Sequence, residues 1–395
     1  MRLFGTVVVI IVAVSALTSQ SAINLPFKDQ FDPNAKGDWE YGGLHPWVVS
    51  DPAKVGNYAL YSPDNASLAV GVDQLWFSTW TIMNPVDIGE ENSVTNITPA
   101  DAAAFFMDTD GAVHAFSNDT YVVVANLGAS ATNDWHKFAV QLDYDVEKWN
   151  LYHKGSSAND SDPFNRLHEV PLLFNTDFDP GAPSPAIYVT GETYIDDVLV
   201  TRGLPIGDST PAHAAEVTMA LSSVGTGFAL EYFSDGEGTL RGGFGDVLAP
   251  LLNAGAELHV WTNTNFGIAD LDGEGWGAVD EAVLNEVITP TTGFFLQGVT
   301  WESVDPVVML AYDALTIPST AIVTGWNLLA VPHSVGATSL ADLGLPAGTH
   351  DLVFVWTESG WGISRYNGSS WTENLQIPAG RTFWLRSRSG GTWNP

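Results

Sequence analysis

The sequence predicts an all-β protein, with a β-sandwich in the first half of the chain and two small, mutually related β domains in the second half. Residues 24–202 alternate short runs of β-forming residues with turns rich in Gly, Asp, Asn and Pro. No long segment shows the apolar period of a helix. The stretches 260–276 and 355–371 are versions of one sequence and align without a gap.

Alternation of apolar and polar residues identifies strands in the first half. In residues 136–144, Phe138, Val140, Leu142 and Tyr144 form one apolar face, and residues 149–153 return after a turn, which predicts a hairpin. Residues 105–116, interrupted by the turn 108–111, predict a second hairpin. A further strand is predicted over residues 75–82. Many short strands with closely spaced turns are typical of a sandwich or a barrel.

The repeat predicts the organisation of the second half. Each copy contains a strand ending in Val-Trp, a Gly-rich hairpin and a last aromatic strand. The paired positions are Trp261 and Trp356, Gly267 and Gly362, Ile268 and Ile363, Gly273 and Gly368, and Trp276 and Trp371. The predicted domains are a signal peptide (1–21), the sandwich (22–202), a linker (203–214), copy one (215–315) and copy two (316–395).

The charge balance restricts the partners of the chain. The 395 residues are 11% aromatic and only 15% charged, yet the net charge is −32. The aromatic content excludes a disordered chain. Because phosphate binding requires clustered Lys and Arg, the composition argues against nucleic acid as a partner. Solubility in a salty medium and binding of divalent cations are the two explanations for the excess of carboxylates.

The N-terminus predicts export. Arg2 precedes a short apolar run at residues 7–17, and the small residues Ser19 and Ser21 allow cleavage before Ala22. The alternative is an uncleaved N-terminal anchor. After cleavage we expect a secreted or cell-surface protein with no transmembrane segment, and the absence of Cys excludes disulfides. Glycosylation sequons occur at Asn65, Asn96, Asn118, Asn159 and Asn367.

Loose motifs in the first half resemble a known family. Residues 27–32, Trp39 and Trp47 look like the opening strands of a LamG-like jelly roll of the concanavalin A type, and residues 191–200 look like its closing strand. A galactose-binding-like jelly roll is the rival interpretation. The resemblance implies binding of glycans or surfaces, often with calcium. It places Asp196 and Asp197 at a structural Asp pair, with hydrogen bonding or a metal as alternatives.

The second half resembles another β domain. Residues 325–331 (GWNLLAV) and 382–385 (TFWL) are similar to strands of a small domain in secreted proteins of the Verrucomicrobia–Planctomycetes kind. No activity follows from this resemblance. The same bacterial groups are where we expect the jelly-roll variant of the first half.

Tryptophans are the candidate ligand-binding residues. Trp76 and Trp80 lie on one face of a predicted strand and could stack on sugars if exposed, with burial between the sheets as the alternative. Trp301 and Trp393 have no partner in the internal alignment, so the shared fold does not require them for packing. The tryptophans at repeated positions are expected in the core: Trp261, Trp276, Trp356, Trp371 and Trp384.

One acidic segment fits the pattern of a calcium loop. Asp270, Asp272, Glu274 and Glu281 supply oxygens at the required spacing, with Gly275 at the sharp turn. Copy two has an ordinary Asn-Gly turn in the same register. Calcium as a cofactor and a hairpin turn with incidental carboxylates are therefore both open.

These observations favour a secreted, non-catalytic, lectin-like protein that binds polysaccharide or a cell-surface glycan. The alternative is a structural subunit that self-associates into a filament, sheath or surface layer. A second alternative is a glycan-active enzyme with an unrecognised site. The glycanases of the resembled family carry carboxylates such as Glu-x-Asp-x-x-Glu on one strand, and the sequence contains no such pattern. Motifs for serine, metal or nucleotide chemistry are also missing from it.

Overall fold

Strands make up almost all of the regular structure, which confirms the predicted all-β class. The computed structural model describes residues 9–14, 27–31, 40–42, 47–49, 54, 59–62, 65–69, 74–83, 85, 101–158, 162–175, 185–190, 193–203, 206–218, 255–272, 275–278, 291–297, 307–312, 319–332, 337–357, 360–378 and 380–395. In these residues a short 3-10 helix spans Ala129–Asn133. No helix among them is long and apolar enough to cross a membrane. The chain divides into two units, 1–215 and 216–395.

The first unit is built from strands that run in chain order. They are β1 (Val9–Val14), β2 (Phe27–Asp29), β3 (Glu40–Gly42), β4 (Trp47–Val49), β5 (Ala59–Ser62), β6 (Asn65–Ala69), β7 (Gln74–Ile82), β8 (Asp101–Met107), β9 (Ala112–Ser117), β10 (Thr120–Asn126), β11 (His136–Asp143), β12 (Lys148–Lys154), β13 (Phe164–Arg166), β14 (Leu172–Leu173), β15 (Pro185–Thr190), β16 (Thr193–Arg202) and the start of β17 (His213–Thr218). The segment predicted as a signal peptide contributes β1 in this structure, and its cleavage stays a prediction.

Two antiparallel sheets form a sandwich in the first unit. One has seven strands in the order β10-β9-β8-β1-β15-β6-β3, and the other runs β17-β13-β12-β11-β7-β16-β5-β4, with β14 beside β12 and β2 beside β16. Apolar side chains of both sheets meet in one core, where the rings of Phe105 and Phe138 lie 5.0 Å apart. Burial of such side chains is the main force that holds the sheets together.

The two predicted hairpins are confirmed. Strands β11 and β12 pair from Lys137 opposite Lys154 to Asp143 opposite Lys148. Strands β8 and β9 pair around the turn that follows Met107. The turns predicted at residues 145–148 and 108–111 therefore connect paired strands.

Residues 206–215, most of the predicted linker 203–214, pack as part of the first unit. Ile206 and Thr210 are buried, and Ala214 pairs with Phe164 between β17 and β13. The amide of Ile206 donates a hydrogen bond to Asp143 at 2.8 Å. These contacts join the segment to the larger sheet.

The second unit contains the remaining strands. They are β18 (Glu257–Trp261), β19 (Phe266–Asp272), β20 (Gly275–Ala278), β21 (Phe294–Gln297), β22 (Val307–Tyr312), β23 (Thr320–Ile322), β24 (Gly325–Ala330), β25 (Thr338–Ser339), β26 (Leu352–Thr357), β27 (Gly360–Arg365), β28 (Gln376–Ile377), β29 (Thr382–Ser387) and β30 (Gly391–Trp393). Two four-stranded sheets run β20-β19-β18-β21 and β24-β29-β26-β27, and two small sheets pair β23 with β30 and β25 with β28. Their division into two tandem domains stays a prediction.

The repeated stretches pair in the same register in the two four-stranded sheets. Trp261 lies opposite Phe266 as Trp356 lies opposite Trp361. Val260 lies opposite Phe294 as Val355 lies opposite Phe383. Because register decides which face each side chain occupies, equivalent positions of the two copies lie on equivalent faces.

Candidate functional site

An aromatic cleft lies on the outer face of the sheet β24-β29-β26-β27. Phe383 and Leu385 are buried in the core, so the residue between them, Trp384, lies on the opposite face of β29. On β26, Phe354 lies on the same outer face, between the buried Val353 and Val355. Alternation along each strand therefore places aromatic rings outside the core.

The strand register turns these positions into a row. Leu328, Trp384, Phe354 and Ile363 are directly opposite one another across β24, β29, β26 and β27. Trp326 lies in the neighbouring row, opposite Arg386, with its ring centroid 5.4 Å from that of Phe354 and 5.8 Å from that of Trp384. The row gives the cleft a continuous apolar floor.

Two aromatic residues of copy one form the second side of the cleft. The ring centroids of Trp261 and Phe266 lie 5.1 and 5.9 Å from that of Trp384, with interplanar angles of 82° and 80°. The indole Nε1 of Trp261 donates a hydrogen bond to the backbone carbonyl of Trp326 at 3.0 Å. Edge-to-face packing of this kind is favourable and fixes the walls of the cleft around Trp384.

The cleft is large and open to solvent. Its volume is about 490 Å³, and seven apolar side chains line it: Trp261, Phe266, Trp326, Phe354, Trp361, Ile363 and Trp384. Trp326, Trp361 and Ile363 are 38%, 46% and 51% exposed. Ligand sites in proteins have this size and an apolar, aromatic lining, and contiguous exposed apolar surface marks an interaction site.

Two arginines border the cleft. Arg386 and Arg365 lie on either side of Leu352 in the row next to the aromatic row, and both are exposed. The guanidinium of Arg386 lies 5.7 Å from the ring centroid of Trp326, within the range of a cation–π interaction. The Arg365 guanidinium contacts Nδ1 of His350. The cleft therefore has an apolar floor with positive charge along one side.

The repeat led to a wrong expectation for some tryptophans. Trp384 and Trp261 line the cleft although they occupy repeated positions, which we expected in the core. A repeated residue occupies the same face of the sheet in both copies. That face can be the outer one, so repetition alone does not place a residue in the core. The missed signal was alternation: the apolar neighbours of Trp384 on β29 already fill the core face.

Trp76 and Trp80 are both fully buried, so neither ring presents a face to solvent. They do not lie between the sheets, as the alternative interpretation had it. Leu75 and Phe77 belong to the core between the sheets, and the two tryptophans occupy the opposite face of β7. On that face Trp80 pairs with Lys137 and Trp76 with Gln141. Stacking of Trp76 or Trp80 on a ligand is therefore excluded in this structure.

Lysines surround the ring of Trp80. The Nζ atoms of Lys54, Lys137 and Lys154 lie 4.3, 5.9 and 6.0 Å from its centroid. Lys137 donates to Asp197 at 2.8 Å, and Lys28 lies 3.1 Å from the same carboxylate. This arrangement accounts for Trp80 as a structural residue.

Asp196 and Asp197 serve as hydrogen-bond acceptors. Asp196 accepts from the backbone amide of Lys54 at 2.8 Å, and Asp197 accepts from Lys137 and from Gln30. Burial alone would raise the pKa of Asp197, but the positive charges of Lys137 and Lys28 outweigh it and lower the pKa to about 2. These contacts favour the hydrogen-bonding alternative for the pair.

The two tryptophans without a partner in the alignment have different outcomes. Trp393 is fully buried in the core of the second unit, and its Nε1 donates to the carbonyl of Leu343 at 2.7 Å. Trp393 is therefore a core residue, and its prediction as a ligand-binding residue was wrong. Trp301 lies outside the described residues.

The acidic segment of copy one contains a hairpin. Asp272, the last residue of β19, lies opposite Gly275, the first residue of β20, which leaves a two-residue connection. Asp270 is exposed on β19, whereas Glu274 and Glu281 lie outside the described residues. In the described ranges no three His, Asp or Glu side chains are grouped as metal ligands. The pairing favours the hairpin alternative, and calcium binding stays a prediction.

Comparison with known proteins gives remote structural similarities. No protein-family model matches the chain, and no curated protein is similar to it. A sialidase is 14% identical over 42% of this chain and 17% of its own length, with a TM-score of 0.28. Domain 4 of an extracellular GH43 arabinanase from Geobacillus stearothermophilus, in complex with arabinotriose, is 15% identical over 40% of this chain and 75% of its own, with a TM-score of 0.23.

A third solved structure gives a similar result. The catalytic domain of a glycoside hydrolase family 131 protein from Coprinopsis cinerea is 11% identical over 41% of this chain and 70% of its own, with a TM-score of 0.23. The chain thus spans less than a fifth of the sialidase and most of the other two. At these TM-scores the alignments carry no argument, and the β-sandwich assignment of the first unit rests on the strand pairing described above.

Proposed function

We propose that the protein is a secreted, non-catalytic, lectin-like protein that binds polysaccharide or a cell-surface glycan, and that the aromatic cleft holds the sugar. The observation that carries this proposal is the row of rings around Trp384, which is open to solvent on one side. The C–H faces of a sugar ring are apolar and bury favourably on an aromatic ring, while its hydroxyls stay in water.

The test is glycan binding by the Trp384→Ala variant. Removal of this ring deletes the centre of the cleft floor, and we expect at least a tenfold loss of affinity on the polysaccharides that the parent protein binds on an array. Tyr121→Ala is the matched control, because Tyr121 is an exposed aromatic residue of the first unit. A parent protein that binds no polysaccharide would contradict the proposal, and new reducing ends in the bound glycan would replace it with the enzyme alternative.

Self-association is a second candidate function, favoured by strand β10. This strand is at the edge of the seven-stranded sheet, and its sequence, TYVVVAN, contains no charged residue and no proline. Tyr121, Val122 and Val123 are between 38% and 61% exposed. Charged residues and prolines usually protect edge strands, because an unprotected edge can pair with another chain.

The edge can be tested by substitution. We expect Val123→Lys to remove assemblies that the mature protein forms at high concentration, as seen by size-exclusion chromatography and negative-stain microscopy. Val146→Lys makes the same charge change at an exposed valine in the turn between β11 and β12 and leaves assembly unchanged. A parent protein that stays monomeric at high concentration rules out the structural-subunit function.

A further inference from the structure

The two arginines beside the cleft are spaced by the sheet. Arg386 and Arg365 each pair with Leu352, one from β29 and the other from β27. Neighbouring strands lie about 4.8 Å apart, so the Cα atoms of the two arginines are separated by about 10 Å. Both side chains occupy the outer face, on which Trp384 and Phe354 lie in the next row. The pair is thus fixed relative to the aromatic floor.

Neither guanidinium forms an ion pair within the part of the chain that the structure describes. Two other cations near the surface of that part do form ion pairs, Lys148 with Asp208 and Arg166 with Glu169. Carboxylates outnumber cations in the chain, with 46 Asp and Glu against 14 Lys and Arg. Since no carboxylate of the described residues pairs with either guanidinium, both remain available to an external anion.

The guanidinium group suits one class of external anion. Its planar fork of N–H donors matches the two oxygens of a carboxylate or of a sulfate ester, and such charge-assisted hydrogen bonds are stronger than neutral ones. The cation–π contact of Arg386 with Trp326 limits the freedom of its guanidinium before a ligand arrives. Less conformational entropy is then lost on binding.

We propose that the ligand of the cleft is an anionic polysaccharide, whose sugar rings stack on Trp384 and Phe354 while Arg365 and Arg386 bind carboxylates or sulfate esters on the same strand of glycan. This inference rests on the proposed function, since it names the ligand class of the same cleft. A neutral glycan would use the aromatic floor and leave both arginines unused.

The experiment compares three polymers on the full-length protein. Polygalacturonate supplies carboxylates, a sulfated galactan supplies sulfate esters, and the desulfated form of that galactan is the neutral comparison. We expect one or both anionic polymers to bind at least tenfold more tightly than the neutral one, and R365Q and R386Q each to weaken only the anionic binding by about tenfold. K148Q removes one positive charge from the first unit and leaves binding unchanged.

The outcomes separate the inference from the proposed function. Equal affinity for sulfated and desulfated galactan, with no effect of R365Q or R386Q, would overturn the anionic ligand and leave glycan binding in place. Retention of anionic binding by Trp384→Ala would show that the arginines act at another site and would also overturn it. No binding of any polymer would contradict the proposed function itself.

Discussion

His168 is a half-buried residue whose ring makes two hydrogen bonds with the backbone. Its Nε2 accepts a hydrogen bond from the amide of Leu151 at 2.8 Å, so the proton is on Nδ1, which lies 2.8 Å from the carbonyl of Val170. Burial lowers the pKa of His168 to about 4, and burial together with His136 lowers that of His153 to about 3. Both side chains are therefore neutral in the folded protein at pH values above about 4.

Acid should destabilise the protein through these histidines. Their pKa values in the folded chain lie below the ordinary value of 6.5, so the unfolded chain binds more protons and stability falls as the pH drops from 6.5 towards about 4. We expect a loss of up to about 1.4 kcal/mol per pH unit from each histidine. Urea unfolding across this range measures the slope, and His168→Gln should reduce it. An unchanged slope in the variant would show that protonation of His168 does not cause the loss of stability in this pH range.

Asp197 affects the stability of the protein at lower pH than the histidines do. Its pKa of about 2 in the folded chain lies below the ordinary value of 3.8. The stability that its contacts with Lys137 and Lys28 provide is therefore present above 3.8 and is lost as the pH falls towards 2. The histidines and Asp197 thus predict that stability is lost in two successive pH ranges, the first from 6.5 towards about 4 and the second from 3.8 towards about 2.

Among the elements, the turn between β8 and β9 depends on one glycine. Asp108 accepts hydrogen bonds from the amides of Asp110 and Ala112, and Gly111 has a φ of 79°. A Cβ added to Gly111 would lie 2.1 Å from the carbonyl oxygen of Gly128. The turn thus requires glycine for its backbone conformation and also for space.

A pair of substitutions separates these two requirements. Gly128 has nearly the same φ, 83°, but an added Cβ would have no neighbour within 4 Å. We expect Gly128→Ala to cost about 1 kcal/mol of unfolding free energy and Gly111→Ala to cost clearly more, because the backbone must also move. Thermal and urea unfolding of the two variants test this. Equal costs would mean that steric contact with Gly128 contributes nothing.

The sequence predicts the strands better than it predicts which of their side chains are buried by distant parts of the chain. Alternation in residues 136–153 was enough to predict the hairpin of β11 and β12, because its apolar side chains repeat at every second position. Trp76 and Trp80 were placed on one face of β7 for the same reason, and that was right. Their burial away from the core between the sheets was not predictable, because it depends on long-range contacts such as the Lys54 side chain over Trp80.

At the scale of the whole molecule, the negative net charge repels the anionic ligand that Arg365 and Arg386 are proposed to bind. A net charge of −32 repels a polyanion at long range, and salt screens this repulsion beyond about 10 Å at 0.1 M. We expect the rate at which the protein associates with an anionic polysaccharide to rise as the salt concentration is raised from low to physiological, as measured by biolayer interferometry. The rate with a neutral galactan should not change. A falling rate with the anionic polymer would mean that local attraction dominates the encounter.

The cleft itself could be only partly predicted. The repeat indicated that Trp261 and Trp356 are equivalent, and the structure shows their equivalent registers. The contact of Trp261 and Phe266 with Trp384 joins residues of both copies, and such packing cannot be read from either copy alone. Arg365 and Arg386 flank Leu352 only because β26 lies between β27 and β29.

The perpendicular indoles of the cleft have an optical consequence. Trp384 lies close to Trp261 and Trp326 with interplanar angles of 82° and 84°. Close, non-parallel indoles couple their electronic transitions, and the coupling gives a paired positive and negative band in circular dichroism. A glycan that shifts any of these rings will change that signal without a label. The cleft therefore contains its own chromophores for following occupancy.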